Sequence, residues 1–265
     1  MNRLKVFKVC DKISIGTTFN KRIFERRSEK LKTNLFFEMQ EKFPEIPFFA
    51  YHENSFELKK YNEKIEFEDY KRDNLHLYDL FEVNEDWIED FILKSPLKDC
   101  HKIKNDKWRG HFGPDTSNYW NRNAIYWFRK LASIHHCVEQ VKTPYLAWFG
   151  SDINFKKPFD EQLIKFIDSH DSSLIIRNQM GIESDICFFN LEKNGKEIIK
   201  HWVNMFLSFE VFDQPRWDDS WALEITRRQL ENKYVFGNLT KFSISDYIYH
   251  PKGEHVNLRK EKEGI

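Results

Sequence analysis

A chain of 265 residues, 40% of them hydrophobic, is long enough to bury a full core as one domain. Lysine plus arginine and aspartate plus glutamate both total 42, so no global field favours nucleic acid or an anionic membrane, and an anionic ligand has to be held locally. No apolar leader and no stretch of roughly 18 uninterrupted apolar residues is present, which gives the expectation of a cytoplasmic protein without a transmembrane segment.

Val6 to Ile15 reads as a first strand, apolar and β-branched, broken by Gly16-Thr17-Thr18. From Arg22 to Phe43 the residues Phe24, Leu31, Leu35, Phe36, Met39 and Phe43 recur near helical spacing, and Pro44 and Pro47 end the pattern. Pro47 to Tyr51 is a short buried strand running into the polar cluster His52-Glu53-Asn54-Ser55. Residues 54 to 118 are charged and weakly periodic, with a helix around Asp86 to Leu93. Asn121 to Val141 is a clearer helix, with Phe128, Leu131, His135 and Val138 on one face and Thr143-Pro144 closing it.

Tyr145-Leu146-Ala147-Trp148-Phe149 is a continuous apolar run suited to a central strand, and it stops at Gly150-Ser151-Asp152. Strands at Leu174 to Ile176 and Ile186 to Leu191 follow, then helices near Glu197 to Phe209 and Ser220 to Leu230. Short strands fill Lys233 to Tyr249, and Asn257 to Ile265 is a charged end expected to fray. The βαβ opening and later alternation predict an α/β fold with a mostly parallel central sheet flanked by helices. Ligands of such sheets bind beyond the carboxyl ends of the strands.

Several polar residues fall where chemistry is expected. Asp152 follows the most apolar strand, where one or two carboxylates can hold a cation that bridges phosphates, or where an aspartate simply caps a turn. Glu183 and Asp185 are two residues apart ahead of an apolar run, placing them on one side of a strand where they could bond a ligand's hydroxyls, or in a solvated acidic turn. Asp218 and Asp219 open a helix, where the dipole favours carboxylates whether or not one of them acts as a base. His135-His136-Cys137 is not read as a metal centre, because adjacent helical residues cannot aim at one ion. Cys10, Cys100, Cys137 and Cys187 form no CxxC pair and read as scattered thiols. The 25 Phe and 8 Trp read mainly as core, although Trp120, Trp127, Trp217 and Trp221 stand near polar residues, where their rings could stack on a ligand.

The run Trp148 to Pro158 resembles the strand and DxD loop of GT-A-fold glycosyltransferases, with Asp152 as the second aspartate and Gly150 in place of the first. Asn123 to Leu131 resembles the basic helix before that strand, Arg216-Trp217-Asp218-Asp219-Ser220 a Trp-x-Asp-Ser motif of bacterial and viral members, and His250-Pro251-Lys252-Gly253 the late His-x-x-Gly. The ordered set spans roughly Ile13 to His255, with residues 54 to 118 poorly matched.

That resemblance implies a single GT-A-like domain over residues 1–265, with a nucleotide-binding part to about 155 and an acceptor and metal-completing part over about 156–256. It implies transfer of a sugar from a nucleotide-sugar donor to a glycan or other hydroxyl acceptor, with Mn2+ or Mg2+ held by Asp152 and His250. Arg129, Lys130 and Lys252 are then donor contacts, Trp217 and Asp218 lie at the sugar or acceptor with Glu183 and Asp185, and Asp219 is the general base. Thr18 and Arg22, bordering the first strand-to-helix turn, and Glu53 at the next strand end are expected at the nucleotide. Two other functions fit the same residues. One is a non-catalytic sugar-nucleotide or glycan-binding protein, motivated by Gly150; the other is a metal-dependent hydrolase built from Asp152, Glu183, Asp219 and His250. A nucleotide-dependent dehydrogenase is disfavoured because no GxGxxG follows the first strand.

Overall fold

The computed structural model describes residues 9–19, 42–53, 72–94, 124–151, 153–177 and 181–250. In chain order the strands are β1 (Ile13–Phe19), β2 (Phe48–His52), β3 (Leu75–Asp79), β4 (Tyr145–Phe149), β5 (Asn154–Phe155), β6 (Ser172–Arg177), β7 (Gly181–Asn190), β8 (Phe236–Asn238) and β9 (Ile248–Tyr249). The helices are α1 (Leu80–Lys94), α2 (Ala124–Gln140), α3 (Glu161–Asp168), α4 (Gly195–Leu207) and α5 (Asp219–Leu230). A seven-stranded sheet has the order β3-β2-β1-β4-β7-β6-β8, and β5 and β9 pair as a separate ribbon. Neighbours in the sheet are parallel except β7, which is antiparallel to both β4 and β6. This is the mostly parallel α/β architecture that the sequence predicts.

β4 explains why both faces must be covered. All five of its residues are buried, and alternate ones enter different cores. Leu146 and Trp148 join the cluster built with α1, α2, α4 and α5, represented by Phe91, Phe128, Trp202 and Leu223. Tyr145, Ala147 and Phe149 join the cluster on the opposite face, where α3 supplies Leu163, Ile164 and Ile167. A strand buried on both sides has no polar alternation, which is why the run is continuously apolar.

Several boundaries differ from those expected. β1 does not end at Ile15 but continues through Gly16-Thr17-Thr18 to Phe19, while Val9–Asp11 is a 3-10 turn. Gly16 is there because of its neighbour: a Cβ on it would lie 2.6 Å from Cε3 of Trp148, so the glycine makes room for an indole and does not break the strand. Thr17 is held by donating its hydroxyl to the Phe149 carbonyl at 2.8 Å. β3 and the first part of α1 lie within a stretch that periodicity left unassigned, and α3, capped by Asp160 accepting from Leu163 N, also escaped that reading. The helix expected over 22–43 lies almost wholly outside the described residues, as does the tail from 257.

β7 carries an irregularity that matters for the site. Its pairing with β6 jumps from Leu174↔Cys187 to Ile175↔Glu183, leaving Ser184, Asp185 and Ile186 outside that ladder. On its other side β7 stays with β4 through Phe149↔Ile186, and Gly150 N donates to Asp185 O at 2.8 Å. The extra residues on β7 make a bulge, a feature common beside sites. Among the described residues no helix is long and apolar enough to cross a membrane.

Gly16→Ala tests the packing that sets β1 against β4. The added Cβ meets a fully buried indole, so the variant is expected to lose about 1–3 kcal/mol of unfolding free energy in urea titration, as overpacked cores do. Wild-type stability would show that the indole has room to move.

Candidate functional site

Because β1, β2, β3, β4 and β6 run the same way, Phe19, His52, Asp79, Phe149 and Arg177 end on one edge of the sheet. β7 runs the other way, so its beginning, Gly181 to Asp185, lies on that edge too. The turn after β4 is closed by Ile153 N donating to Gly150 O at 3.1 Å, and β5 then pairs with β9 through Asn154↔Tyr249 and Phe155↔Ile248. This ribbon returns His250, the residue after β9, to the loop that follows β4.

One buried cation organises the edge. Lys130 of α2 places its ammonium 2.6 Å from Asp219 Oδ2 and 2.9 Å from Asp185 Oδ1, and 3.1 Å from both the carbonyl and the hydroxyl oxygen of Ser184. Burial by itself would lower the Lys130 pKa, but the Asp185 and Asp219 carboxylates more than offset it and hold the ammonium above the ordinary lysine range. Ser184 Oγ also donates to Asp219 Oδ2 at 2.8 Å and lies 2.7 Å from Ser220 Oγ. The other Asp219 oxygen accepts from Ser220 N at 2.9 Å. Asp219 is only 2% exposed, and both of its oxygens are occupied.

Beside this cluster, Glu183, Asp185 and His250 each offer one ligand atom, and the three atoms lie within 4.8 Å of one another. His250 Nε2 is 3.9 Å from Asp185 Oδ2, the oxygen opposite the one that Lys130 holds. Glu183 is buried and paired with Arg177 Nη2 at 2.9 Å. Two carboxylates and an imidazole suit a divalent cation such as Mn2+. Glu183 and Asp185 therefore come together, and they meet His250 there. Asp152, the other expected ligand, lies outside the described residues, as do Arg22 and Lys252.

The remaining candidates separate into edge and core. Thr18 stands near the end of β1, and its buried hydroxyl oxygen has no hydrogen-bond partner among the described residues. Glu53, just past β2, accepts from Arg129 Nη1 at 3.3 Å, tying α2 to the same edge. Lys130, expected at the donor, has its N–H groups directed at protein acceptors instead. Asp218 is the N-cap of α5: it accepts from Trp221 N at 3.1 Å and is gripped by Arg216 through Nε at 2.8 Å and Nη2 at 3.0 Å. Burial raises the Asp218 pKa, against the opposing effect of Arg216. Trp217, expected at a sugar, is a core residue with no exposed surface, packed edge-on against Phe212 at 4.9 Å. Its alternative reading as a core aromatic, the common one for tryptophan, describes it. His135 and His136 pack on Trp87 and Tyr78, and His136 Nδ1 lies 2.8 Å from the Tyr51 hydroxyl.

Sequence reasoning missed Ser184, Arg177, His52 and Asp79. His52 and Asp79 are opposite each other in the β2–β3 register, and His52 Nδ1 lies 3.5 Å from Asp79 Oδ2. The one available signal was their position: each is the polar residue that ends an apolar strand. Nothing local marks Ser184, whose partners come from α2 and α5.

No protein-family model and no curated protein matches the sequence. Among solved structures, the apo form of mouse xyloside xylosyltransferase 1 is similar at 11% identity, over 86% of this chain and 84% of that one, with a TM-score of 0.46. The PaToxG glycosyltransferase is similar at 9% identity, over 83% of this chain and 68% of that one, with a TM-score of 0.44. The fold and site themselves define an α/β protein with a cluster of acidic side chains and a histidine at the carboxyl edge of its sheet.

The two adjacent aspartates should separate in denaturation experiments. Asp218→Ala removes a helix cap and is expected to cost about 1–2 kcal/mol. Asp219→Ala takes a carboxylate from a buried ammonium and is expected to cost more, about 3–5 kcal/mol. Equal midpoints for Asp219→Ala and wild type would contradict the buried ion cluster.

Proposed function

We propose that the protein is a glycosyltransferase that moves a sugar from a nucleoside-diphosphate donor to a glycan or other hydroxyl acceptor, with Mn2+ or Mg2+ as cofactor. The observation that carries this reading is the meeting of Glu183, Asp185 and His250 at the carboxyl edge of the sheet. They sit beside the loop in which the Trp148 to Pro158 motif puts Asp152. With Asp152, these side chains would hold the cation. When bound, it offsets the negative charge that develops on the diphosphate leaving group.

The chain's own residues do the rest. The Thr18 hydroxyl near the end of β1, without a hydrogen-bond partner among the described residues, and the Glu53–Arg129 pair beyond β2 support placing the nucleoside over those strand ends. Arg22 is assigned to the same nucleotide from its place in the sequence. Lys252, two residues after His250, is assigned to the phosphates. Residues up to about 155 would then bind the donor, and about 156–256 would complete the metal site and receive the acceptor.

A base role for Asp219 requires one of its oxygens to exchange a present partner for an acceptor hydroxyl, since Lys130, Ser184 and Ser220 N occupy both. That saturation, together with Gly150 at the first acidic position of the motif, favours a second reading: a sugar-nucleotide-binding protein that does not transfer.

Thermal unfolding across a panel of nucleoside diphosphates and sugar nucleotides, with and without Mn2+, tests the first reading. The right donor at a hundredfold excess over Kd is expected to stabilise the fold by about 2.7 kcal/mol, and only with the cation. His250→Ala and Asp185→Asn should remove that cation dependence. No stabilisation by any member of the panel would reject a nucleotide-sugar site. Turnover of Asp219→Asn separates the roles: a loss of about a hundredfold to ten-thousandfold with donor affinity kept marks a base. Binding without turnover in the wild type itself would select the second reading.

A further inference from the structure

We infer that Lys130 is a positioning residue for the candidate metal site, acting through Asp185, and is not a donor-phosphate contact. The inference rests on the metal reading proposed above.

An ammonium has three N–H groups, and Lys130 Nζ lies within 3.1 Å of four acceptor oxygens: Asp219 Oδ2, Asp185 Oδ1, and the carbonyl and hydroxyl of Ser184. No donor remains for a phosphate unless one of these contacts breaks. By holding Oδ1, Lys130 leaves Oδ2 as the Asp185 oxygen that faces His250 at 3.9 Å. Asp185 lies in the part of β7 that has left the ladder with β6, so on that side its orientation comes from side-chain contacts such as this one. Lys130 is itself anchored from the far side by Asp219, at the start of α5, which Ser184 Oγ and Ser220 N secure. The arrangement is that of an outer partner fixing the orientation of a metal ligand, whose loss commonly weakens metal binding tenfold to a hundredfold.

Two simpler roles forecast different results. If Lys130 were only a nearby positive charge, removing it would tighten cation binding by lifting a like-charge repulsion. If it only stabilised the fold, its loss would lower the melting temperature and leave cation affinity alone.

Calorimetric titration of Mn2+ alone into the full chain distinguishes them, with Asp171→Ala, which loses bonds from Val235 N and Asn194 at the opposite edge of the sheet, as a destabilised control. Lys130→Met is expected to bind Mn2+ at least about tenfold more weakly than wild type, and Lys130→Arg to restore the affinity incompletely because its planar fork does not fit the same four oxygens. Asp171→Ala should bind like wild type. Ser184→Ala, which keeps the ammonium and loosens it, should bind several-fold more weakly and serves if Lys130→Met fails to fold. Unchanged or tighter Mn2+ binding in Lys130→Met, or in Ser184→Ala where it stands in, would overturn the positioning role and leave the metal site in place. Absence of Mn2+ binding by the wild type would overturn the metal site and the positioning role together.

Discussion

The ammonium of Lys130 lies in the interior against two carboxylates and a serine, and three elements meet on it. It comes from α2, Ser184 and Asp185 come from β7, and Asp219 comes from the first turn of α5. A buried charge of this kind costs several kcal/mol in lost hydration unless its partners are close and fully hydrogen-bonded. The three elements therefore cannot settle independently. Sliding α2 by one residue would replace Lys130 with Arg129, which serves Glu53 at the next strand end, and both pairings would be lost together.

Around that constraint the sheet prepares an edge for chemistry. The single antiparallel strand, β7, brings its beginning to the carboxyl ends of its neighbours, and its bulge turns Ser184 and Asp185 away from the regular ladder. The β5–β9 ribbon then carries His250 back to the same place from near the end of the described chain. Underneath, the indole of Trp148 fills the space over Gly16 and sets β4 against β1, so that the loop after β4 starts from a rigid base.

How far the site could be read from residues alone differs element by element. β4 was legible because a strand buried on both faces needs an unbroken apolar run. α5 was legible because two adjacent aspartates, which a helix dipole favours, precede a stretch of helical character, although the structure makes Asp218 the cap. Glu183 and Asp185 could be put on one side by their spacing, and His250 could be singled out by the residues that follow it. β3 could not, since three of its five residues are half-buried, His76 is exposed and only the polar Asp79 is buried. Gly16 misled because a glycine in a strand signals either a break or a close approach, and the approaching Trp148 is more than a hundred residues away. Trp217 misled in the opposite direction, because polar neighbours in sequence said nothing of the aromatic ring of Phe212 that covers it.

By itself, the sequence determined the layer architecture, the central strand, the principal helices and the polar residues at the strand ends. These depend on periodicity and on the local chemistry of caps and turns, which act over a few residues. The tertiary structure alone decided that Lys130 faces inward to Asp185 and Asp219, that Ser184 joins them, and that Asp219 is sealed. Those outcomes turn on which side chain desolvates which across separations of tens of residues, an energy that is defined only once the elements have packed.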